Sequence, residues 1–406
     1  MNQSLGIRGQ ISTRLLRRCI VGAGTFLLAG FAANGAESNT VKLVAEPAPN
    51  ISVRNEVRHA IDKGLAWLEK TQDTNGFWST ADHPAITALG LAAFRAQPGG
   101  PDPTSEPPTV KKGYAYLLSC VKPDGGIYRK ELPSYNTSVS LMALLAANRP
   151  EYQPVIEHAR RFLIGLQADF GEPGKVDDAF DGGFGYGNSD KRPDLSNTML
   201  ALEALYYSKQ AVTETNSSDK TGLNYAAAIH FIQSCQNLPA YNAEKWASDD
   251  PRNKGGFIYA PGRSMAGGET NAVTGRVALR SYGSMSYAGL LSYIYADLKL
   301  DDPRLTAVMD WVRANYTLEE NPALGAQGLF YYYHTMTKAL TLYGTGLLET
   351  REGRNVDWRE QLALKLINLQ HADGSWANEN GRWFEKDPAL VTAYALLTLE
   401  MIHKKI

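Results

Sequence analysis

Apolar residues along this chain keep helical spacing in pairs of segments, and the two members of each pair differ in character. From 53 to 71 the positions Val57, Ile61, Leu65 and Leu68 recur every three or four residues, which predicts an amphipathic helix with one buried face. The rhythm breaks at Gln72-Asp73-Thr74-Asn75-Gly76-Phe77-Trp78, and Pro84 opens a second helical stretch that runs to about Arg95. This second stretch, Ala85-Ile86-Thr87-Ala88-Leu89-Gly90-Leu91-Ala92-Ala93, is apolar on most sides and so belongs inside the fold.

The same unit, helix then Gly/aromatic turn then helix, returns five more times. Its first helices are predicted at 108–121, 151–167, 222–237, 303–316 and 356–370, and its second helices at 135–147, 195–208, 283–297, 329–343 and 388–402. The turns between them carry Pro123 to Tyr128, Asp181 to Tyr186, Gly255 to Phe257, Asn321 to Gly328, and Asp373 to Trp376. The more apolar second helices are expected to form an inner ring and the first helices an outer one, an all-α (α/α)6 toroid. Its six inner helices run parallel, with their N-termini at one mouth, and closure brings 53–71 beside 356–370. An aromatic residue stands five positions before a glutamine in Trp67/Gln72, Phe162/Gln167 and Phe231/Gln236, and the sixth copy keeps Gln370. A glutamine there can bond carbonyls left open at a helix end or the open N–H groups of the next helix.

Ahead of the repeats, Arg14, Arg17 and Arg18 precede an apolar run from Cys19 to Ala33 that ends in Ala33-Asn34-Gly35-Ala36. That is the layout of a secretory signal, so 1–36 is read as a signal peptide, 37–52 as a linker and 53–406 as the toroid domain. The run falls short of the ~18–20 residues a membrane span needs, and export to the periplasm or outside the cell is expected. Lys+Arg of 41 against Asp+Glu of 42 gives a charge of −1, so nothing points to nucleic acid. Without the four arginines of 1–36 the mature chain stands at 37 against 42, or −5. Cys120 and Cys235 have no partner at metal or redox spacing and read as buried free thiols.

The stretch from Lys63 to Trp78 resembles the QW repeat of the squalene-hopene and oxidosqualene cyclases, and Gln370-His371-Ala372-Asp373-Gly374-Ser375-Trp376 resembles its second half. Asp181-Gly182-Gly183-Phe184 is similar to the turn of the prenyltransferase β-subunit repeats. The resemblance covers about 53–402 and implies a toroid with an aromatic-lined central cavity, used in that family for isoprenoid-type cyclisation or transfer. The family's Asp-x-Asp-Asp acid is absent; Asp177-Asp178 with Asp181, Asp249-Asp250 and Asp301-Asp302 are its nearest substitutes, and Asp302-Pro303 reads as a helix cap. The prenyltransferase zinc set needs an Asp and a Cys one residue apart, which neither Cys120 nor Cys235 has, so no metal and no cofactor are expected.

The candidate site is therefore drawn at the inner-helix mouth, where six N-termini would favour an anionic group or keep carboxylates ionised. His334 and Asp194 are the candidates for moving a proton, with Tyr282, Tyr287, Tyr331, Tyr332 and Asn197 as substrate-binding residues. His83, Tyr135, Asn136, Ser196, Tyr333 and Asp387 complete the lining, although His83, Asp194 and Asp387 also read as helix caps. Lys338, one turn beyond His334, must reach a carboxylate or snorkel outward. The Gly-rich insertion at 238–281 is either a lid over the mouth or an edge loop, and 97–108 is a Pro-rich surface connector. The acidic stretch 177–181 reads as a solvated loop before a Ca²⁺ site. Three functions stay open: an isoprenoid-type cyclase or transferase, a non-catalytic ligand-binding or scaffold toroid, and a secreted carbohydrate-active lyase or hydrolase. A hydrophobic or glycan small molecule is the expected ligand, with a peptide also open for the scaffold; a peripheral membrane contact and the oligomeric state stay open too.

Overall fold

Proline at the first turn, where its missing N–H costs nothing, starts five of the helices. A computed structural model describes residues 50–100, 106–187, 192–209, 222–270 and 277–406. The signal segment 1–36 and the linker up to 49 lie outside the described residues. The outer helices are α1 (Ile51–Thr71), α3 (Pro108–Ser119), α5 (Gln153–Ile164), α7 (Tyr225–Ser234), α9 (Pro303–Asn315) and α11 (Trp358–Leu369). The inner helices are α2 (Pro84–Ala96), α4 (Pro133–Ala147), α6 (Leu195–Ser208), α8 (Gly283–Tyr295), α10 (Leu329–Tyr343) and α12 (Pro388–His403). Inner helices pack in sequence, α2 on α4, α4 on α6, α6 on α8, α8 on α10 and α10 on α12, and α12 returns to α2. In the outer layer α1 lies against α11 and α12, closing the double ring at the expected seam. The fold is an (α/α)6 toroid.

Two short antiparallel hairpins decorate it, β1 (Gly268–Thr270) with β2 (Val277–Leu279) and β3 (Leu347–Glu349) with β4 (Asn355–Asp357). The connector after α2 is tied down at its far end, where the buried Glu106 carboxylate is held between Arg95 and Arg149. Residues 101–105 lie outside the described residues. Among those described, no helix is long and apolar enough to cross a membrane.

What joins one hairpin to the next is a repeated set of bonds. The Gln72 amide donates to the Gly76 carbonyl of its own turn (3.0 Å) and to the Thr109 carbonyl of α3 (2.9 Å). Gln167 makes the same pair to Gly182 and Asn224, Gln236 to Gly255 and Arg304, and Gln370 to Gly374 and Ala60. Each glutamine thus bridges its own turn to a carbonyl at the next outer helix, not at its own helix end, and Gln167 also accepts the Asn224 N–H at the start of α7 (2.9 Å), an open N–H group of the next helix as the sequence suggested. The residue after the glycine, or the next, sends its backbone N–H to a hydroxyl on the inner helix: Trp78 to Thr87, Ile127 to Thr137, Phe184 to Thr198, Phe257 to Ser286 and Trp376 to Thr392. Trp78 and Trp376 also donate from the indole to the Leu68 and Leu366 carbonyls, ten residues back on the outer helix.

The turn glycine is the tightest point of this joint. Gly255 has φ +88°, and a Cβ there would stand 2.1 Å from the Ala307 carbonyl oxygen of α9; Gly182, φ +84°, meets the Ala227 carbonyl of α7 at the same distance. Both the left-handed backbone and the contact exclude a side chain. Gly255→Ala is expected to lower the unfolding free energy by at least about 2 kcal/mol in urea titration, because neither the backbone conformation nor the helix contact survives the added methyl. A shift within a few tenths would show that the joint tolerates spreading.

Candidate functional site

A helix start leaves several backbone N–H groups without partners, and in this ring six such starts face one rim. Two inner helices cap themselves: Asp194 accepts from Asn197 N (2.9 Å) at α6, and Asp387 accepts from Ala389 N (2.8 Å) at α12. Three others are capped by the following hairpin. Asn136 takes the Ala85 N–H of α2 (3.1 Å), Asn321 takes the Ser284 N–H of α8 (2.9 Å), and Glu385 takes the Tyr331 and Phe330 N–H groups of α10 (2.7 and 3.3 Å). His83 holds the cap position of α2 but makes no cap bond, because Asn136 already fills that role; the imidazole Nδ1 is left buried without a partner. The cap reading of His83 is corrected accordingly.

Asp194 is almost fully buried, and both carboxylate oxygens are engaged by Asn197, through the backbone N–H and the side-chain amide (2.7 Å). Burial is the largest influence on its acidity and pushes its pKa up to about 6, against the lowering effect of Asn197 and Tyr259. The helix N-termini do not keep this group strongly acidic, as the sequence suggested, since removal from water outweighs the partial charge. The phenol of Tyr259 turns to Asp194 and Tyr186, and both phenols are raised, first by burial and then by the Asp194 charge. Tyr259 arrives on the 238–281 insertion, whose backbone carbonyl accepts the Leu195 N–H of α6 (2.8 Å). The described part of that insertion is a fixed wall of the rim, held by Asn237, Asn253 and Ser281. Its tip, 271–276, lies outside the described residues.

From Asp194 a line of tyrosines crosses the ring. Ser196 of α6 shares a hydrogen bond with the Tyr331 hydroxyl of α10 (3.0 Å), the Tyr331 ring leans on Tyr394 of α12 (6.0 Å), and Tyr394 turns to Tyr135 of α4. His334 stacks on the same Tyr394 ring (5.4 Å, 28°). The His334 pKa is driven well below the usual histidine range by burial and by Lys338, so the ring is neutral, and its Nδ1 is buried without a partner. Deeper along the axis Lys338 pairs with Glu203 of α6, which also accepts from the Tyr295 hydroxyl (3.2 Å). Lys338 therefore meets a carboxylate instead of snorkelling.

The structure brings Asp194, Asn197, Tyr331 and His334 to one side of the rim, with Tyr282 buried beside them at the start of α8. It does not bring Tyr287 and Tyr332 there. Those two rings lie against each other (5.7 Å) in the layer between the rings, where Tyr332 donates to the Thr317 carbonyl (2.8 Å) and Tyr333 to the Leu318 carbonyl. Residues two and one before His334 on a helix cannot share its face, and here they turn outward. The acidic loop is organised from within: buried Asp181 accepts the N–H groups of Phe170, Asp177 and Asp178. Among the described residues no group of three or more His, Cys, Asp or Glu is arranged to hold a metal, and Cys120 and Cys235 are buried free thiols.

Sequence reasoning missed Tyr186, Tyr259, Glu203, Glu385 and Tyr394. Glu203 had a signal, as the lone acid on an otherwise apolar inner helix. It also missed Trp383 and Phe384, consecutive aromatics that are 42% and 55% exposed with φ of 55° and 68°. Bulky residues in that region carry strain of order 1–3 kcal/mol each, held here by the bonds of Asn378 before the pair and of Glu385 and Asp387 after it.

No family model matches the chain, and no curated protein does. Among solved structures it is similar to the GH76A α-1,6-mannanase from Salegentibacter sp. HEL1_6, at 10% identity and a TM-score of 0.53 over 85% of this chain and 98% of that one. The type II terpene cyclase MstE from Scytonema, in complex with merosterolic acid A, aligns at 12% identity and a TM-score of 0.49 over 88% of this chain and 99% of that one. The likeness to the mannanase is one of fold, the α/α toroid.

The raised Asp194 pKa has a signed consequence. Its folded value, about 6, lies above the ordinary 3.8, so the neutral form is the one the fold favours. The associated stability is present below pH ~4 and is lost as pH rises through ~6, on the order of 3 kcal/mol in all, of which about 2 kcal/mol goes above pH ~4.5. Wild type is expected to lose that increment between pH 4.5 and 7 in urea titrations, relative to Asp194→Asn. Identical pH slopes in the two proteins would show that Asp194 titrates as an ordinary carboxylate.

Proposed function

We propose that this chain is a ligand-binding α/α toroid that takes a small hydroxyl-rich molecule, of glycan type, at the tyrosine-lined rim of its inner ring. The observation that carries the reading is His334 Nδ1, a buried acceptor or donor with no protein partner, on an imidazole stacked against Tyr394, whose ring also meets Tyr331 and whose side chain turns to Tyr135. A ligand hydroxyl would satisfy it, and unmet buried polar groups are costly to keep. The Lys338–Glu203 pair argues against the isoprenoid reading, since a hydrocarbon chain laid along the axis would face an ion pair that it cannot solvate. The mannanase of like fold is a glycan-acting protein by its name, which agrees with this ligand class and assigns no residue.

A second reading, acid catalysis on the same ligand, is favoured by Asp194, whose carboxyl titrates near 6 beside Tyr259. In this reading Asp194 donates a proton and neutral His334 receives one. Arg14, Arg17 and Arg18 followed by the apolar run from Cys19 to Ala33 support an exported protein.

Calorimetric titration with a panel of mono- and disaccharides and with farnesol tests the ligand class. A saccharide is expected to bind and farnesol not to. His334→Ala should weaken saccharide binding roughly tenfold with unchanged melting, as the loss of about one hydrogen bond predicts. A variant that melts lower and binds fully would make His334 a packing residue only. Export predicts that mature protein begins near residues 34–37 by mass spectrometry, and material starting at Met1 would contradict it.

A further inference from the structure

The rim reading leaves Trp383 and Phe384 without a role. They are the two most exposed aromatics among the described residues, adjacent in sequence, and both hold left-handed backbone that aromatic residues avoid. That conformation is imposed from both sides: before the pair Asn378 donates to the Ala326 carbonyl (2.7 Å), and after it Glu385 is buried and committed to the α10 N-terminus and to Asn378, while the Phe384 carbonyl accepts the Asp387 N–H (2.8 Å) at the start of α12. Between these two fixed points the pair is turned out to solvent.

Their surroundings place them on the rim. The Trp383 indole lies against Gly328 at the start of α10, where a Cβ would come within 3.0 Å of it, and the Arg382 guanidinium sits 4.9 Å over the ring. The Phe384 ring meets the His83 imidazole of α2 edge-on at 5.6 Å. The His83 Nδ1 is buried and unpartnered beside it. The two rings thus bridge the starts of α10 and α2 above α12, with Tyr331 only three residues beyond Gly328.

We infer that Trp383 and Phe384 form an outer subsite that stacks on pyranose rings of a polysaccharide and leads its chain to the tyrosine rim. The inference rests on the glycan reading of that rim and extends it. A pyranose presents an apolar C–H face, which suits an exposed aromatic ring, and a belt of hydroxyls at its edge. Arg382 over the Trp383 ring and His83 beside the Phe384 ring supply hydrogen-bonding groups at the pair. A rigid aromatic pair held at fixed angles matches a rigid ring, because the ordering cost of the binding surface is met in advance. A bilayer needs no such fixed angle, and two rings among charged and polar neighbours offer it little apolar surface.

The strain makes the test unusual. Glycine adopts this backbone freely, so Trp383→Gly and Phe384→Gly are expected to melt no lower than wild type. Affinity electrophoresis of the full mature chain through gels containing mannan, xylan, β-glucan or polygalacturonate provides the readout. At least one polysaccharide is expected to retard wild type, and each variant should lose that retardation roughly tenfold while keeping disaccharide binding by calorimetry. Unchanged retardation in both variants would overturn the ledge and leave the rim reading standing. So would retardation by none of the four polymers, or binding only to phosphatidylglycerol vesicles. If retardation depends on the ledge but His334→Ala leaves disaccharide binding unchanged, the rim reading fails and the ledge remains.

Discussion

Six parallel helices that start at one rim bring together a crowd of backbone N–H groups that water reaches poorly, and most of what is specific about this structure answers that need. Self-capping by Asp194 and Asp387 is the simple solution. Borrowed capping by Asn136, Asn321 and Glu385 is the other, and it draws polar side chains into a place that apolar packing alone would have filled. The same demand explains why carboxylates sit buried at the rim, and why burial, not the helix field, governs their acidity.

Much of the architecture was legible because each joint is local in sequence. The glutamine, the turn glycine and the following aromatic fall within a few residues of one another, and the alternation of amphipathic and wholly apolar helices separates outer from inner ring. The partners of those residues were not legible. That Gln72 reaches Thr109, or Gln370 reaches Ala60, depends on which helix lies alongside, which only ring closure decides. The fifth hairpin, whose turn lacks the pattern, replaces it with Asn321, a residue with no distinguishing spacing.

The rim was less legible than the fold. Helical geometry alone separates His334 from Tyr332 and Tyr333, but choosing which face looks inward required knowing where α8 and α12 lie. Tyr331 and His334, three apart, point to the axis; Tyr332 meets Tyr287 behind it. Tyr259 came from an insertion whose composition suggested a lid, and Tyr394 from a helix so apolar that no residue stood out. Trp383 and Phe384 were hidden for another reason: exposed aromatics in a loop carry no periodic signal, and their backbone is set in part by Glu385, whose bonds to Phe330 and Tyr331 reach more than fifty residues away.

Borrowed capping also has a direction. Each borrowed cap passes from a later hairpin to an earlier helix, from the second to the first, the fifth to the fourth and the sixth to the fifth, and the seam from α12 to α2 is sealed by Ser79 on Asp387. An open array of stacked repeats can gain or lose a unit at its ends, since only one interface changes. This ring has no such end: an added or deleted hairpin would leave a helix start uncapped and a seam that no longer meets. The number of repeats is therefore fixed by the geometry, and divergence in such a chain is channelled into its turns and insertions, where Tyr259, Trp383 and Phe384 are found.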